Sequence, residues 1–376
     1  MELTLAVYVL FLMANDLSMT QIMGLETIFI TLVMLLEVPS GAFADLYGRK
    51  LSLSLAMVSA GIGFIIFGMG SSFWAFLAAQ IIIAFAWSLS SGADSAILYD
   101  SLKEEGKEKD FSAVLGRANF AMLMTWAACS LASGFLADIV GYRALFFASA
   151  AFFFISAIIA AWMVEPPIHQ DGKKREYLKH LQGALSFSYD NRRVRRLILY
   201  YGLFAALTHL SWFVIQPFLD KGGASESLIG IALSLYFISA GIGNLVAKRM
   251  SGKIRGEILF PGLLCIASIS LIGLYFSGWW AALFFIAGLS FTSGVRDVIV
   301  NAGIHHETAS HHRATVGSVQ NMSKSIMYAI FAPIIGYASD LFSPGTAFLL
   351  MGTGLLAFTL VYIYMTRQEA IEVSRG

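Results

Sequence analysis

Long apolar stretches of this chain include Glu26, Glu37, Asp94, His209, Arg296, Asp297 and Lys324 among their ionisable side chains. A charge in such a setting is costly, and it points by default to the handling of ions, protons or a polar solute. Glu26 and Glu37, eleven residues apart, share one helical face, with Glu26 near enough to an outer surface to be hydrated. Asp94 shares a face with Gln80, Trp87 and Ser91, a polar stripe out of place against lipid. His209, Trp212 and Gln216 fall at i, i+3 and i+7. That spacing makes one interior face, or, for the Trp and Gln, a pair of interfacial anchors. Histidine titrates near physiological pH, although a lone buried one more often only hydrogen-bonds. Arg296 and Asp297 are adjacent and read either as solute-facing groups or as a local ion pair. The run HHETASHH, 305–312, could bind a metal or sense pH; a solvated turn is the plainer reading, and no metal site is expected.

The elements that hold these residues are membrane helices. Hydrophobic residues make up 57% of the chain, charged ones only 13%, and mean hydropathy is +0.72, well outside the soluble range. About 20 residues cross a hydrocarbon core of about 30 Å. Eleven apolar runs meet that length: 21–44, 51–70, 73–99, 112–140, 143–163, 195–219, 227–248, 257–277, 279–303, 314–341 and 345–366. Helices are required, since open strands leave backbone groups unsatisfied in lipid and these runs are too long for barrel strands. The first apolar run, LTLAVYVLFLMA, has only about half the needed length and lacks the features of a signal peptide. It is either a half-helix buried against its neighbours or, as favoured here, a span whose first half lies upstream of Met1.

Lys and Arg concentrate on alternate connections: Arg49 and Lys50, Lys103 to Lys109, Lys173 to Arg196, Lys248 to Arg255, Arg313, and Arg367 with Arg375. The opposite connections hold only Arg143 and Lys221. The positive-inside rule then places both termini in the cytoplasm of a cell membrane. A net charge of +1 gives no support to a nucleic-acid partner, and Cys129 and Cys265 have neither pairing nor metal spacing. The longest connection, 164–194, separates an N-terminal bundle (1–163) from a C-terminal one (195–376). Its Leu178, Leu181, Leu185 and Tyr189 form one helical face that would lie along the lipid surface.

The halves repeat. LGRANF at 115–120 aligns with VGSVQN at 316–321, and each precedes a GxxxD, Gly134 to Asp138 and Gly336 to Asp340. SSGAD at 90–94 aligns with TSGVR at 292–296, which sets Asp94 opposite Arg296 in the repeat. GAFADLYGRK at 41–50 aligns with a decayed copy, AKRMSGKIRG, at 247–256.

With its GxxxD and GRK from Gly41 to Lys50, twelve spans, a basic central loop and a decayed second copy, the chain resembles the major facilitator superfamily (MFS). SGADSAILYDSLKE and RATVGSVQNM further resemble uncharacterised prokaryotic permeases of that family. The resemblance implies an all-α fold of two pseudo-symmetric six-helix bundles that rock about a central cavity. It implies a latch in which Gly41 allows close helix approach, Gly48 a tight turn, Asp45 meets the start of the eleventh helix near Ala314 and Thr315, and Arg49, with Lys50 beside it, pairs with Asp100. Leu46 stands where the family usually has a basic residue. The cavity implied by the resemblance would be lined by Gln80, Trp87, Ser91, Asp94, His209, Trp212, Gln216, Arg296 and Asp297, with Asp94 facing Arg296. Glu37, about 12 Å deeper than Asp45, and Lys324, about 14 Å along the eleventh helix, then lie at matching depth as an interdomain proton-coupling pair, with Asp94 a further candidate; the alternative is that each faces its own bundle, Glu37 meeting Ser40 or water. The fourth span lacks an Arg and the fifth lacks a Pro that many proton-driven members carry. The expectation is a monomeric, cofactor-free secondary transporter working by alternating access, with protons as the candidate coupling ion. Efflux of a small amphipathic compound leads; an uptake symporter or a non-transporting receptor or scaffold is the alternative. No nucleophile elbow or phosphate-binding loop suggests an enzyme.

Overall fold

The computed structural model describes residues 2–91, 93–165, 191–254, 256–307 and 313–375, and these form helices and short turns with no strand among them. The helices are α1 (Tyr8–Met13), α2 (Met19–Tyr47), α3 (Arg49–Met69), α4 (Phe73–Ser91), α5 (Ala93–Glu104), α6 (Phe111–Val140) and α7 (Tyr142–Trp162), followed by α8 (Arg192–Lys221), α9 (Glu226–Lys253), α10 (Gly256–Phe276), α11 (Trp279–Glu307), α12 (Arg313–Leu341) and α13 (Pro344–Arg375). Ten helical stretches among the described residues are long and apolar enough to cross a membrane, one of them running from α4 into α5. α12 has the length, at 29 residues, but its first half carries Gln320, Asn321 and Lys324, and it falls outside those ten.

Local chemistry sets the ends of these helices. Ser18 caps α2 through a reciprocal box with Gln21, and Asn191 caps α8 by accepting from the backbone N–H of Arg193 and Val194. Gly48, at φ +101°, ends α2 and starts α3, a backbone state L side chains rarely adopt. The expected fourth span corresponds to one apolar stretch from Phe73 to Glu104.

The chain forms two compact units, Met1–Leu178 with Glu226–Ser234, and Lys179–Ser225 with Leu235–Gly376. The first is built around a ring cluster of Phe11, Phe64, Phe67, Phe76 and Phe146. α1 is a single short helix whose Val9, Leu10, Phe11 and Leu12 are buried. Its approach is held by Leu3 N–H and Ala6 N–H donating to Ser149 Oγ and Ser133 Oγ at 2.8 and 3.3 Å. In the second unit α8 is the central element: 72% of its apolar stretch is buried, against 28–56% in the other spans. α9 and α11 touch backbone to backbone, since a Cβ added at Gly294 would lie 2.0 Å from the carbonyl oxygen of Ala240. The expected amphipathic surface helix falls at 166–190 and lies outside the described residues, as do 308–312 of HHETASHH.

Candidate functional site

In the first unit, Glu26 sits on α2 with 6% of its surface exposed, contrary to the expected hydrated position. One carboxylate oxygen, Oε1, accepts from the Tyr8 hydroxyl of α1 at 2.7 Å and from the Gln80 amide of α4 at 2.9 Å. Both donors are neutral. The stripe expected on the fourth span is therefore split: Gln80 turns inward to Glu26, whereas Trp87, Ser91 and Asp94 are exposed. Trp87 meets Phe29 edge-on at 6.4 Å, and Asp94 accepts from the backbone N–H of Ser95 at 2.5 Å. Trp87 also borders a cavity of about 270 Å³ lined by Glu2, Ser90, Thr125, Trp126 and Phe153 among others.

At the α2–α3 turn Arg49 donates to the Asp100 carboxylate and, at 2.7 Å, to the Ala96 carbonyl. The backbone N–H groups of Arg49 and Lys50 donate to Glu165 Oε1 and Oε2, each at 2.7 Å. A helix that begins after a glycine has no side chain of its own to cap it, and Glu165 supplies the missing anion to the positive end of α3. Asp45 is exposed. Its expected partners Ala314 and Thr315 have side chains outside the described residues. The close approach expected at Gly41 is absent among the described residues: a Cβ there would meet nothing within 4 Å. Glu37, half-buried on α2, has its backbone carbonyl engaged locally by Ser40 Oγ at 3.1 Å.

The second unit concentrates its polar groups around Arg296, which is 5% exposed. Its Nε and Nη2 donate to Asp297 Oδ1 at 3.0 and 2.8 Å, and Nη1 donates to Thr208 Oγ1 at 2.8 Å. The guanidinium also lies over the rings of Tyr201 and Phe204, at 5.4 and 4.9 Å. Of the two readings for Arg296 and Asp297, the local pair is present, although the Asp297 side chain remains 44% exposed. His209 and Trp212 are half-buried, Gln216 fully buried. The His209 ring packs against Phe213 and Tyr328 at 5.6 and 5.2 Å. His209 Nδ1 and Trp212 Nε1 are buried with no hydrogen-bond partner among the described residues. Lys324, on α12, is half-buried and lies within electrostatic reach of His209, Arg296 and Asp297.

Sequence reasoning missed Tyr8, Thr208, Tyr201, Phe204 and Glu165. Tyr8 was obscured by a run too short to read as a span. Glu165 had an available signal, an acid directly after an apolar helix in a chain whose α3 starts uncapped. Among the described residues no group of His, Cys, Asp and Glu is placed to hold a metal.

A polytopic helical membrane protein with buried, hydrogen-bonded ionisable groups in two compact units has the architecture of a membrane carrier. The chain belongs to the Major Facilitator Superfamily, whose family description matches residues 1–221 and 197–375. It is 24% identical over 371 residues to the "Uncharacterized MFS-type transporter YxaM" of Bacillus subtilis (strain 168), covering 95% of this chain and 90% of that one. Among solved structures, the nucleoside transporter NupG superposes with a TM-score of 0.79 at 13% identity, over 97% of this chain and 96% of that one. A bacterial homolog of the human lysosomal transporter Spinster, inward-facing and unoccupied, gives 0.69 at 18% identity, over 96% and 91%. At such identities the likeness establishes the fold. The family and its relatives are transporters, not enzymes.

Proposed function

We propose that this transporter couples export of a small amphipathic solute to proton movement, working by alternating access in the cell membrane with both termini cytoplasmic. The observation that carries the coupling is Glu26. A buried carboxylate satisfied by a cation would lose its partner on protonation, and taking up a proton there would be opposed. Glu26 instead holds two neutral donors on one oxygen. The second oxygen can take a proton while both hydrogen bonds persist, so charged and neutral forms have the same neighbours. Among the described residues, the further acid within its electrostatic reach is Glu2, which is not a counter-ion. The amphipathic character of the solute is supported by the cavity beside Trp87 and Trp126, whose walls are mostly apolar with hydroxyls from Ser90 and Thr125. The orientation is supported by the one-sided distribution of Lys and Arg.

The test uses purified protein in proteoliposomes with a pH-sensitive dye inside. Lipophilic cations, sugars, amino acids, aromatic acids and a nucleoside are added in turn under an imposed pH gradient. The parent protein should show solute-dependent proton flux, and Glu26→Gln should lose that flux while keeping solute exchange across the membrane. Unaltered proton flux in Glu26→Gln overturns the assignment.

A further inference from the structure

Among the described residues, charge is not balanced in the interior of the second unit. Thr208, His209, Arg296, Asp297 and Lys324 lie well inside helices of 29 or 30 residues, away from the ends where water is available. Substrate sites in such carriers sit near the bilayer midplane. Two cations, Arg296 and Lys324, face one carboxylate. That carboxylate is engaged by Arg296 through both Nε and Nη2 on the same oxygen, and the remaining amino group goes to Thr208. Lys324 is close enough to feel Asp297 and Arg296, yet the described residues of its own unit give it no ion pair.

Two buried nitrogens of α8, His209 Nδ1 and Trp212 Nε1, unpaired among the described residues, share a chemistry with Lys324. Trp212 Nε1 can only donate a hydrogen bond, an ammonium can only donate, and His209 Nδ1 donates in one of its two tautomers. Leaving the Trp212 and His209 nitrogens buried without acceptors is costly, and a protein that keeps them has a use for them. The acceptor that would satisfy a Trp N–H, an imidazole N–H and one ammonium together is an anion with two or more oxygens. One uncompensated positive charge matches a monoanion. The rings of Phe213 and Tyr328, both packed on His209, supply an apolar and planar wall beside it.

We propose that Lys324, His209 and Trp212 form a subsite for the carboxylate of an amphipathic organic acid, with Phe213 and Tyr328 against its hydrophobic part. Arg296 acts there as a positioning residue: held by Asp297, Thr208 and two aromatic faces, it keeps the field positive without being free to bind the solute. The assignment rests on the transport reading above and names the charge class of its solute.

The experiment is calorimetric titration of the purified chain in lipid nanodiscs, without a pH gradient, using 3-phenylpropanoate, its amide, 3-phenylpropylamine and phenyl phosphate. The acid should bind about tenfold or more tightly than the amide or the amine, as expected for a charge-assisted contact. Lys324→Met should remove that preference by weakening the acid alone, Lys324→Arg should retain it, and Trp212→Phe should weaken the acid several-fold while keeping the ring. Equal binding of acid and amide, no binding of the acid, or an unchanged preference in Lys324→Met overturns the proposal. Tighter binding of phenyl phosphate overturns the carboxylate assignment. If Lys324→Met does not purify as a monodisperse protein, Lys324→Gln gives the same comparison. Because no proton movement is measured, a failure of proton coupling in Glu26→Gln leaves this result standing, and the reverse holds equally.

Discussion

Glu26 in the first unit and Arg296 in the second are both buried charges on membrane helices, and the protein satisfies them in opposite ways. Arg296 has a carboxylate, a hydroxyl and two aromatic faces. Glu26 has a phenol and an amide, and no cation among the described residues. The first arrangement makes a permanent charge, since a guanidinium stays ionised and every partner favours it. The second makes a conditional one, because neutral donors serve a carboxylate and a carboxylic acid alike. The proposed coupled export uses both kinds: a fixed field to recognise the solute, and a group whose charge can change between the two faces of the membrane.

Removing one carboxylate from each unit tests that contrast most severely. Asp297→Asn strands a buried guanidinium and should cost about 2–4 kcal/mol, the half-open position of Asp297 keeping the loss below that of a sealed pair. Glu26→Gln keeps an oxygen to accept from Tyr8 and Gln80, and should cost less than about 1 kcal/mol. Thermal unfolding in a single detergent compares them, and equal losses would remove the distinction between permanent and conditional charge. A smaller effect is expected of Gln80→Leu, which takes one donor from Glu26 and should cost about 1–2 kcal/mol. That loss should shrink in the Glu26→Gln background, and additive losses would show that the two side chains are not coupled. Smaller again than the Gln80→Leu loss is that of Glu165→Ala at the start of α3, where losing an anionic cap should cost about 1 kcal/mol. Hydrogen exchange at the amides of Arg49 and Lys50 reads it directly, and unchanged protection there would mean that Glu165 does not hold that end.

Much of this was legible in the chain itself because membrane helices announce themselves by length and apolarity. The pairing of Arg49 with Asp100 was legible as well, through a family loop signature that supplies Arg49 and an acid that ends the fourth span on the same side. Glu26 was not. Its partners arrive from α1 and α4, and the pattern on α2 alone gave no means of telling a hydrated carboxylate from a sealed one. Gln80 was misassigned for the same reason: helical spacing groups it with Trp87, Ser91 and Asp94, but α2 lies against the buried end of that stripe and only the other end stays open.

The adjacency of Arg296 and Asp297 also bears on how the protein is made. Neighbouring residues on a helix normally point apart, and here the long arginine side chain bends back to the next residue's carboxylate. The neutralising partner is therefore carried by the same helix and is present as soon as α11 leaves the ribosome. Thr208, Tyr201 and Phe204 belong to α8, which is synthesised earlier and is already waiting. An arginine at mid-helix opposes insertion by about 2.5–3.5 kcal/mol on the translocon scale, and a built-in counter-ion lowers that barrier. Glu26 has the reverse history: Tyr8 precedes it, but Gln80 emerges only two helices later, so α2 enters the membrane with its carboxyl half-satisfied and depends on α4 to complete it.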